Sequence, residues 1–245
     1  MNLIIIIAAV ILLIYGAVKI ISAAFVLSGN KAYNDGNNQK ALDCYRKAAG
    51  MPLAGTSSKI MYALMLMRSG EFEKAENLLS EIILYGKTKP QEKFNARAYR
   101  CMAKQKLGKL DEATEDAEEL FESCKNTVTY GMLGYLRQLR GGAELELCKE
   151  AYGYNSDDRD ICDNLAVAYI RSGNLAEAEK LTEKLRSEYP DFAEAFYHSA
   201  QLALKKGDVS AAKAYADKIA DCHFTAMTTV TQKDIEELKD EIKNA

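Results

Sequence analysis

The chain has 245 residues, of which 48% are hydrophobic and 27% are charged, and its formal net charge at pH 7 is −3. This composition excludes a disordered chain, because it supplies enough apolar side chains to build a core. A protein that neutralises many phosphates needs a basic surface, so the charge balance predicts that nucleic acid is not a partner.

The first predicted element is an apolar segment from Leu3 to Leu27, with Lys19 as its one charged residue. At a helical rise of ~1.5 Å per residue, it is long enough to cross a hydrocarbon layer of ~30 Å. Its part from Leu3 to Val18 is apolar on every face, which favours lipid over burial as a hairpin helix. We therefore predict a transmembrane anchor over residues 1–21, with the lipid bilayer contacting residues 3–21.

The residues around this segment predict its boundary and orientation. Lys19 and Tyr15 suit the headgroup region, which places the membrane boundary between residues 18 and 22. Basic residues follow the segment and none precedes it, so the positive-inside rule predicts a single-pass cell-membrane protein with its C-terminal part in the cytoplasm. A cleaved signal peptide is the alternative, because small residues at 22–24 could be a cleavage site, but signal peptides normally begin with basic residues.

Glycines recur at a nearly constant spacing through the rest of the chain. They are Gly36, Gly70, Gly108, Gly141, Gly173 and Gly207. A period of 32 to 38 residues is typical of helix–turn–helix repeats. The residue seven before each glycine is small, and the residue five after it is Ala except in the fourth repeat, where Glu146 stands.

This pattern resembles the tetratricopeptide repeat family, most closely in the segments from Gly70 to Ala75 and from Gly108 to Ala113. The resemblance implies hairpins of two helices, A and B, that pack closely at the small residues and turn at a glycine with positive φ. We predict an all-α fold, an α-solenoid of about six such hairpins preceded by one transmembrane helix. The repeat array is expected over residues 22–223, followed over 224–245 by a linker and a C-terminal capping helix.

Departures from the repeat pattern give more local predictions. The apolar helix is expected to continue directly into helix A of the first repeat, and Pro90 is expected at the start of a helix. The glycine pair at 141–142 predicts an irregular turn, with the following helix B one residue out of register. Thr231 and Asp234 fit the start of the capping helix. Its apolar stripe consists of Ile235, Leu238 and Ile242.

The resemblance also implies that one face of each helix A contacts a partner. Carried onto this sequence, the positions on that face are Ile60, Leu64, Met67, Met102, Gln105, Tyr135, Gln138, Val167, Ile170, Tyr197, Gln201 and Leu204. One further position is basic in four repeats: Arg68, Lys106, Arg171 and Lys205. These residues predict binding of a protein or peptide with acidic character. The alternatives are packing against the neighbouring repeat for the apolar residues, and the helix dipole for the basic ones.

The leading functional hypothesis is therefore a membrane-anchored scaffold or adaptor that binds partner proteins. The alternative is a constitutive structural subunit or assembly factor of a membrane protein complex. No phosphate loop, Cys-x-x-Cys pair or His-Glu-x-x-His motif occurs, and His198 and His223 lie in no catalytic pattern. We predict no enzyme activity, no cofactor and no metal site, and we expect the six cysteines to be reduced thiols at helical core positions.

Overall fold

The computed structural model describes residues 2–52, 54–86, 88–142 and 144–245. Within these ranges the regular structure is entirely helical, which confirms the predicted all-α class. The helices are α1 (Asn2–Asn34), α2 (Asn38–Ala49), α3 (Thr56–Arg68), α4 (Phe72–Tyr85), α5 (Pro90–Lys106), α6 (Leu110–Ser123), α7 (Thr127–Leu139), α8 (Leu145–Tyr154), α9 (Arg159–Ser172), α10 (Leu175–Glu188), α11 (Ala193–Lys205), α12 (Val209–Lys218) and α13 (Gln232–Asn244).

The backbone contacts divide the chain into two units, Met1–Leu107 and Gly108–Ala245. Unit 1 contains α1 to α5, and unit 2 contains α6 to α13. In each unit, consecutive helices pack as antiparallel hairpins through buried alanines and larger apolar residues. The division into an anchor, an array over 22–223 and a C-terminal region stays a prediction.

Helix α1 has two parts with different surroundings. No side chain of Leu3–Ile21 is buried, and Ser22, 9% exposed, is the first buried residue of the helix. From Ser22 onward α1 packs against α2, so the apolar helix continues without a break into helix A of the first repeat, as predicted. By length and composition this helix can cross a membrane.

The six repeat glycines all end a helix A in the predicted conformation. Their φ angles run from 74° to 96°, a region that costs an L-residue with a side chain ~1–2 kcal/mol. The small residue seven positions earlier is buried in every repeat. At Gly29, an added Cβ would lie 3.2 Å from the Tyr45 ring, so the two helices approach too closely for a larger side chain.

The fourth repeat is irregular, but its register shift is two residues and the predicted shift of one was wrong. In the other repeats helix B begins two residues after the glycine, whereas α8 begins at Leu145, four residues after Gly141. Glu144 occupies the cap position with a φ of 44°. Cys148 consequently fills the buried position that alanine fills elsewhere, and Glu146 points to solvent.

Both predicted helix starts are confirmed. Pro90 is the first residue of α5, where its missing N–H costs nothing. Thr231 caps α13, its side chain accepting from the Asp234 N–H while the Asp234 carboxylate accepts from the Thr231 N–H at 2.7 Å. Ile235 and Leu238 are buried against α11 and α12, so α13 covers the last hairpin.

The cysteines occupy different environments, and none is in a disulfide. Cys101, Cys148 and Cys162 are buried, and burial raises the pKa of Cys148 and of Cys162 to about 11. Cys124 is exposed at the end of α6, so the prediction that all six lie at core positions was wrong for this residue.

Candidate protein-binding faces

The predicted partner-binding residues lie on helices A of both units, and they divide by burial. Ile60, Met67, Gln138 and Ile170 are buried among neighbouring helices and leave almost no side-chain area for a partner. The rest are half-buried or exposed. The unit-1 face consists of Leu64, Arg68, Met102 and Lys106. The unit-2 face consists of Tyr135, Val167, Arg171, Tyr197, Gln201 and Lys205.

Arg68 is the most unusual residue of the unit-1 face. Its guanidinium carbon lies 5.1 Å from the centre of the Tyr33 ring, a cation–π arrangement between α3 and α1. Its Nε atom is buried and finds no hydrogen-bond acceptor among the described residues. A buried donor without an acceptor is costly, while the half-exposed remainder of the guanidinium can pair with an arriving carboxylate. Half-buried Leu64 lies one helical turn away on the same helix.

Tyr197 and Gln201 form the central part of the unit-2 face. The Gln201 amide donates to the Tyr197 hydroxyl at 3.2 Å, and the Tyr197 ring packs against the apolar cluster shared by α11, α12 and α13. Burial, followed by the negative charge of Asp234 and neighbouring α13 carboxylates, raises the pKa of Tyr197 to about 12. The hydroxyl is therefore a neutral hydrogen-bonding group at physiological pH.

Tyr135 on α7 faces the same region. Burial raises its pKa, and the carboxylates of Glu194, Asp234 and Asp163 raise it further. These acids belong to α11, α13 and α9, so the Tyr135 hydroxyl lies within the electrostatic reach of all three helices. Glu194 is itself buried and accepts hydrogen bonds from the backbone and hydroxyl of Thr229 at 2.7 and 2.9 Å.

A histidine–carboxylate pair connects α9 and α11 beside these tyrosines. His198 Nδ1 lies 2.7 Å from Asp163 Oδ1, and both side chains are largely withdrawn from solvent. Burial opposes a charge on the imidazole, but the charge and hydrogen bond of Asp163 outweigh it, so the pKa of His198 is raised. Glu194 adds to this effect and Arg171 opposes it. Below this raised pKa, the protonated imidazole and the carboxylate form an ion pair across two adjacent helices.

The basic residues do not share one environment. Arg171 donates from Nη1 to the carbonyl oxygens of Gln138 at 2.6 Å and Gly142 at 3.0 Å, so it holds the irregular turn after α7. Lys205 is exposed and has no ion-pair partner within the described part of the chain. Arg140, the basic residue directly after α7, pairs with Asp111 at 3.3 Å. Arg171 is thus partly structural, whereas Lys205 is available to a partner.

On the unit-2 face, the basic and acidic side chains are therefore separated along the helix axes. Arg171 and Lys205 lie at the C-terminal ends of α9 and α11, and Asp163 and Glu194 lie nearer the N-terminal ends. These two acids were not assigned to the binding face from the sequence, although the repeat numbering places Asp163 on it. Asp163 stands ten residues before Gly173, as Tyr197 stands before Gly207.

Comparisons with known proteins agree with this architecture. The tetratricopeptide repeat family model matches residues 142–196. A tetratricopeptide repeat protein from Parabacteroides merdae is similar in structure, with a TM-score of 0.61 and 17% identity over 91% of this chain and 86% of that one. The pilF protein of Pseudomonas aeruginosa has a TM-score of 0.62 and 13% identity over 92% of this chain and 99% of that one. No curated protein sequence matches this chain.

Sequence identities this low establish the fold alone. The chain has the helical-hairpin fold of tetratricopeptide repeat proteins, a fold that suggests a protein–protein interaction scaffold.

Proposed function

We propose that this protein is a membrane-anchored interaction scaffold whose helix-A faces bind a partially acidic segment of a partner protein. The observation that carries the proposal is the state of Arg68. Its guanidinium is stacked on Tyr33 beside half-buried Leu64, and this half-exposed cation has no carboxylate partner within the described residues. A carboxylate of the partner would complete this arrangement, while Leu64 would bury against an apolar side chain.

The unit-2 face restricts how such a segment binds. Tyr135, Val167 and Tyr197 offer apolar area together with two hydroxyl groups. Exposed Lys205 favours an acidic group at the C-terminal end of α11, whereas the Glu194 carboxylate opposes one near the N-terminal end of the same helix. A ligand on this face therefore places its acidic residues toward Lys205.

The membrane part of the proposal rests on α1. Nineteen residues, Leu3–Ile21, precede the first buried side chain, and at ~1.5 Å per residue they reach ~28 Å, close to the hydrocarbon thickness of a bilayer. The basic residues that follow favour a cytoplasmic location for the repeats. This arrangement presents the binding faces at the inner surface of the cell membrane.

Site-specific photo-crosslinking in native cells tests the proposal. A photoreactive amino acid is placed at Leu64 in α3 and, separately, at Tyr197 in α11. Matched controls carry it at exposed helix-B positions, Asn77 in α4 and Lys213 in α12. We expect a discrete protein adduct from the helix-A positions that is weak or absent at the controls.

The same experiment distinguishes the alternative of a structural subunit. Adducts formed only at the helix-B positions would contradict binding through the helix-A faces and would favour a structural subunit held by its helix-B surface. A cleaved signal peptide would be detected as a shortened chain by N-terminal sequencing of the mature protein.

A further inference from the structure

One end of unit 1 lies beside the point where α1 leaves the protein. Helix α2 runs antiparallel to α1, with Tyr45 against Gly29 and the Lys47 ammonium 5.7 Å from the centre of the Phe25 ring. Continuing this register brings the end of α2 next to Ser22, where the buried part of α1 begins. We call this the anchor-side end of unit 1.

The next three helices have termini at the same end. Lys59, near the start of α3, lies 3.8 Å from Glu81 in the last turn of α4. Ser57 donates to the Glu92 carboxylate at 2.5 Å, which brings the first turn of α5 to the start of α3. The anchor-side end therefore contains the α2–α3 turn, the end of α4 and the start of α5.

This end exposes large apolar side chains. Leu84 and Tyr85, the last two residues of α4, are 69% and 82% exposed. Pro52 in the α2–α3 turn is also exposed. A Tyr beside an aliphatic residue is the combination that enters the boundary between headgroups and acyl chains.

The charges at this end are predominantly basic. Lys47, Lys89 and Lys93 form no ion pair among the described residues, although the Lys89 charge acts on the nearby Glu92 carboxylate. Of the nearby acids, Asp43 pairs with Arg46 at 2.7 Å and Glu81 with Lys59, while Glu92 accepts from Ser57 and the Lys89 N–H and keeps its negative charge. The five basic residues at this end, Arg46, Lys47, Lys59, Lys89 and Lys93, therefore outnumber its three acids. The surplus of positive charge matches a negatively charged surface.

We propose that the anchor-side end of unit 1 docks on the anionic lipid headgroups of the bilayer that α1 spans. This inference rests on the proposed membrane anchor, because the unbroken α1 holds this end at the membrane boundary. Leu84 and Tyr85 enter the interface, and the three lysines contact lipid phosphates. Unit 1 is then fixed against the membrane by two contacts, an inserted helix and a docked surface.

Tryptophan fluorescence of the full-length protein in lipid vesicles tests this docking, since the chain contains no Trp of its own. Tyr85→Trp reports on the anchor-side end. Glu73→Trp is the matched control, because it is exposed on the same helix about 18 Å away along the axis. Leu12→Trp, inside the apolar segment, reports on insertion of the anchor.

Vesicles of phosphatidylcholine with phosphatidylglycerol carry spin-labelled lipids that quench either near the headgroups or deep in the bilayer. We expect the Tyr85→Trp emission to shift to the blue and to lose intensity with the shallow label, while Glu73→Trp changes little. Adding Lys89→Gln and Lys93→Gln to the Tyr85→Trp variant should reduce this quenching. The same two substitutions added to the Leu12→Trp variant should leave its quenching by the deep label unchanged.

The outcomes separate docking from anchoring. If the deep label quenches Leu12→Trp but Tyr85→Trp behaves like Glu73→Trp, the anchor stands and the docking is wrong. If Leu12→Trp escapes the deep label, the anchor fails and the docking fails with it. Equal quenching of Tyr85→Trp in vesicles of phosphatidylcholine alone, unchanged by the lysine substitutions, would overturn the preference for anionic lipid.

Discussion

Arg171 donates to the backbone carbonyl of Gln138 at 2.6 Å and thereby joins the end of α9 to the end of α7. The last carbonyls of a helix have no partner within the helix, so a guanidinium placed there satisfies them. The buried Gln138 amide donates in turn to the Asn164 carbonyl at 2.8 Å, and the Asn164 amide to the Gly131 carbonyl at 2.7 Å. The interface of α7 and α9 is thus tied together by side chain to backbone hydrogen bonds.

Arg171→Ala should destabilise the protein by about 1–2 kcal/mol, because it removes two charge-assisted hydrogen bonds to backbone carbonyls. Lys205→Ala, at the corresponding position of the next repeat, should change stability by less than about 0.5 kcal/mol. Chemical denaturation of the two variants measures the difference. Equal stability would show that the Arg171 contacts contribute nothing to the fold.

Ala178→Leu should cost about 1–3 kcal/mol, because Ala178 is fully buried where α10 crosses its neighbours and a larger side chain would overpack the crossing. Ala176→Leu, exposed on the same helix, is the control and should be close to neutral. Thermal unfolding compares them. An unchanged melting temperature for Ala178→Leu would contradict the repeat register.

Two glycine substitutions should act in opposite directions. Gly173→Ala should destabilise by about 1–2 kcal/mol, because the φ of Gly173 is 79° although nothing crowds an added Cβ. Gly153→Ala should be neutral or stabilising by about 0.5 kcal/mol, because Gly153 is helical and equally uncrowded. Denaturant midpoints measure both, and the same sign for the two variants would refute the argument.

The His198–Asp163 pair predicts a pH-dependent stability. The folded-state pKa of His198 is raised, so the stabilisation from this pair is complete below the unfolded pKa of about 6.5 and is lost as pH rises through the folded pKa. The free energy of unfolding should therefore fall as the pH increases across this range. In Asp163→Asn this fall should be reduced, whereas exposed His223→Asn should retain it. A fall of the same size in Asp163→Asn would assign the pH dependence to other groups.

The cytoplasmic location of the repeats can be tested with a native thiol. Cys124 is exposed, while the other five cysteines are half-buried or buried. A membrane-impermeant maleimide should leave Cys124 unlabelled in intact cells and label it after permeabilisation. Cys124→Ser identifies residual labelling at other thiols. Rapid labelling in intact cells would place the repeats outside.

Several structural elements were predictable because their causes are local. The six glycine turns, the Pro90 helix start and the Thr231–Asp234 cap each depend on residues only a few positions apart. The partner-binding faces were less predictable. Repeat numbering assigned Ile60, Met67, Gln138 and Ile170 to them, but these side chains turn into the core. Positions one residue apart on a helix can face either the core or the solvent. The packing of the neighbouring helices decides which of the two a given side chain faces.

The sequence by itself determined the helical class, the repeat spacing and the long apolar helix, because periodicity, glycine geometry and hydrophobicity act within one segment. Only the tertiary structure decided the pairing of His198 with Asp163, the attachment of Arg171 to the α7–α8 turn and the buried Nε of Arg68. The two pairings join residues 29 to 35 positions apart. Their geometry follows from how successive hairpins stack, which no short stretch of sequence specifies.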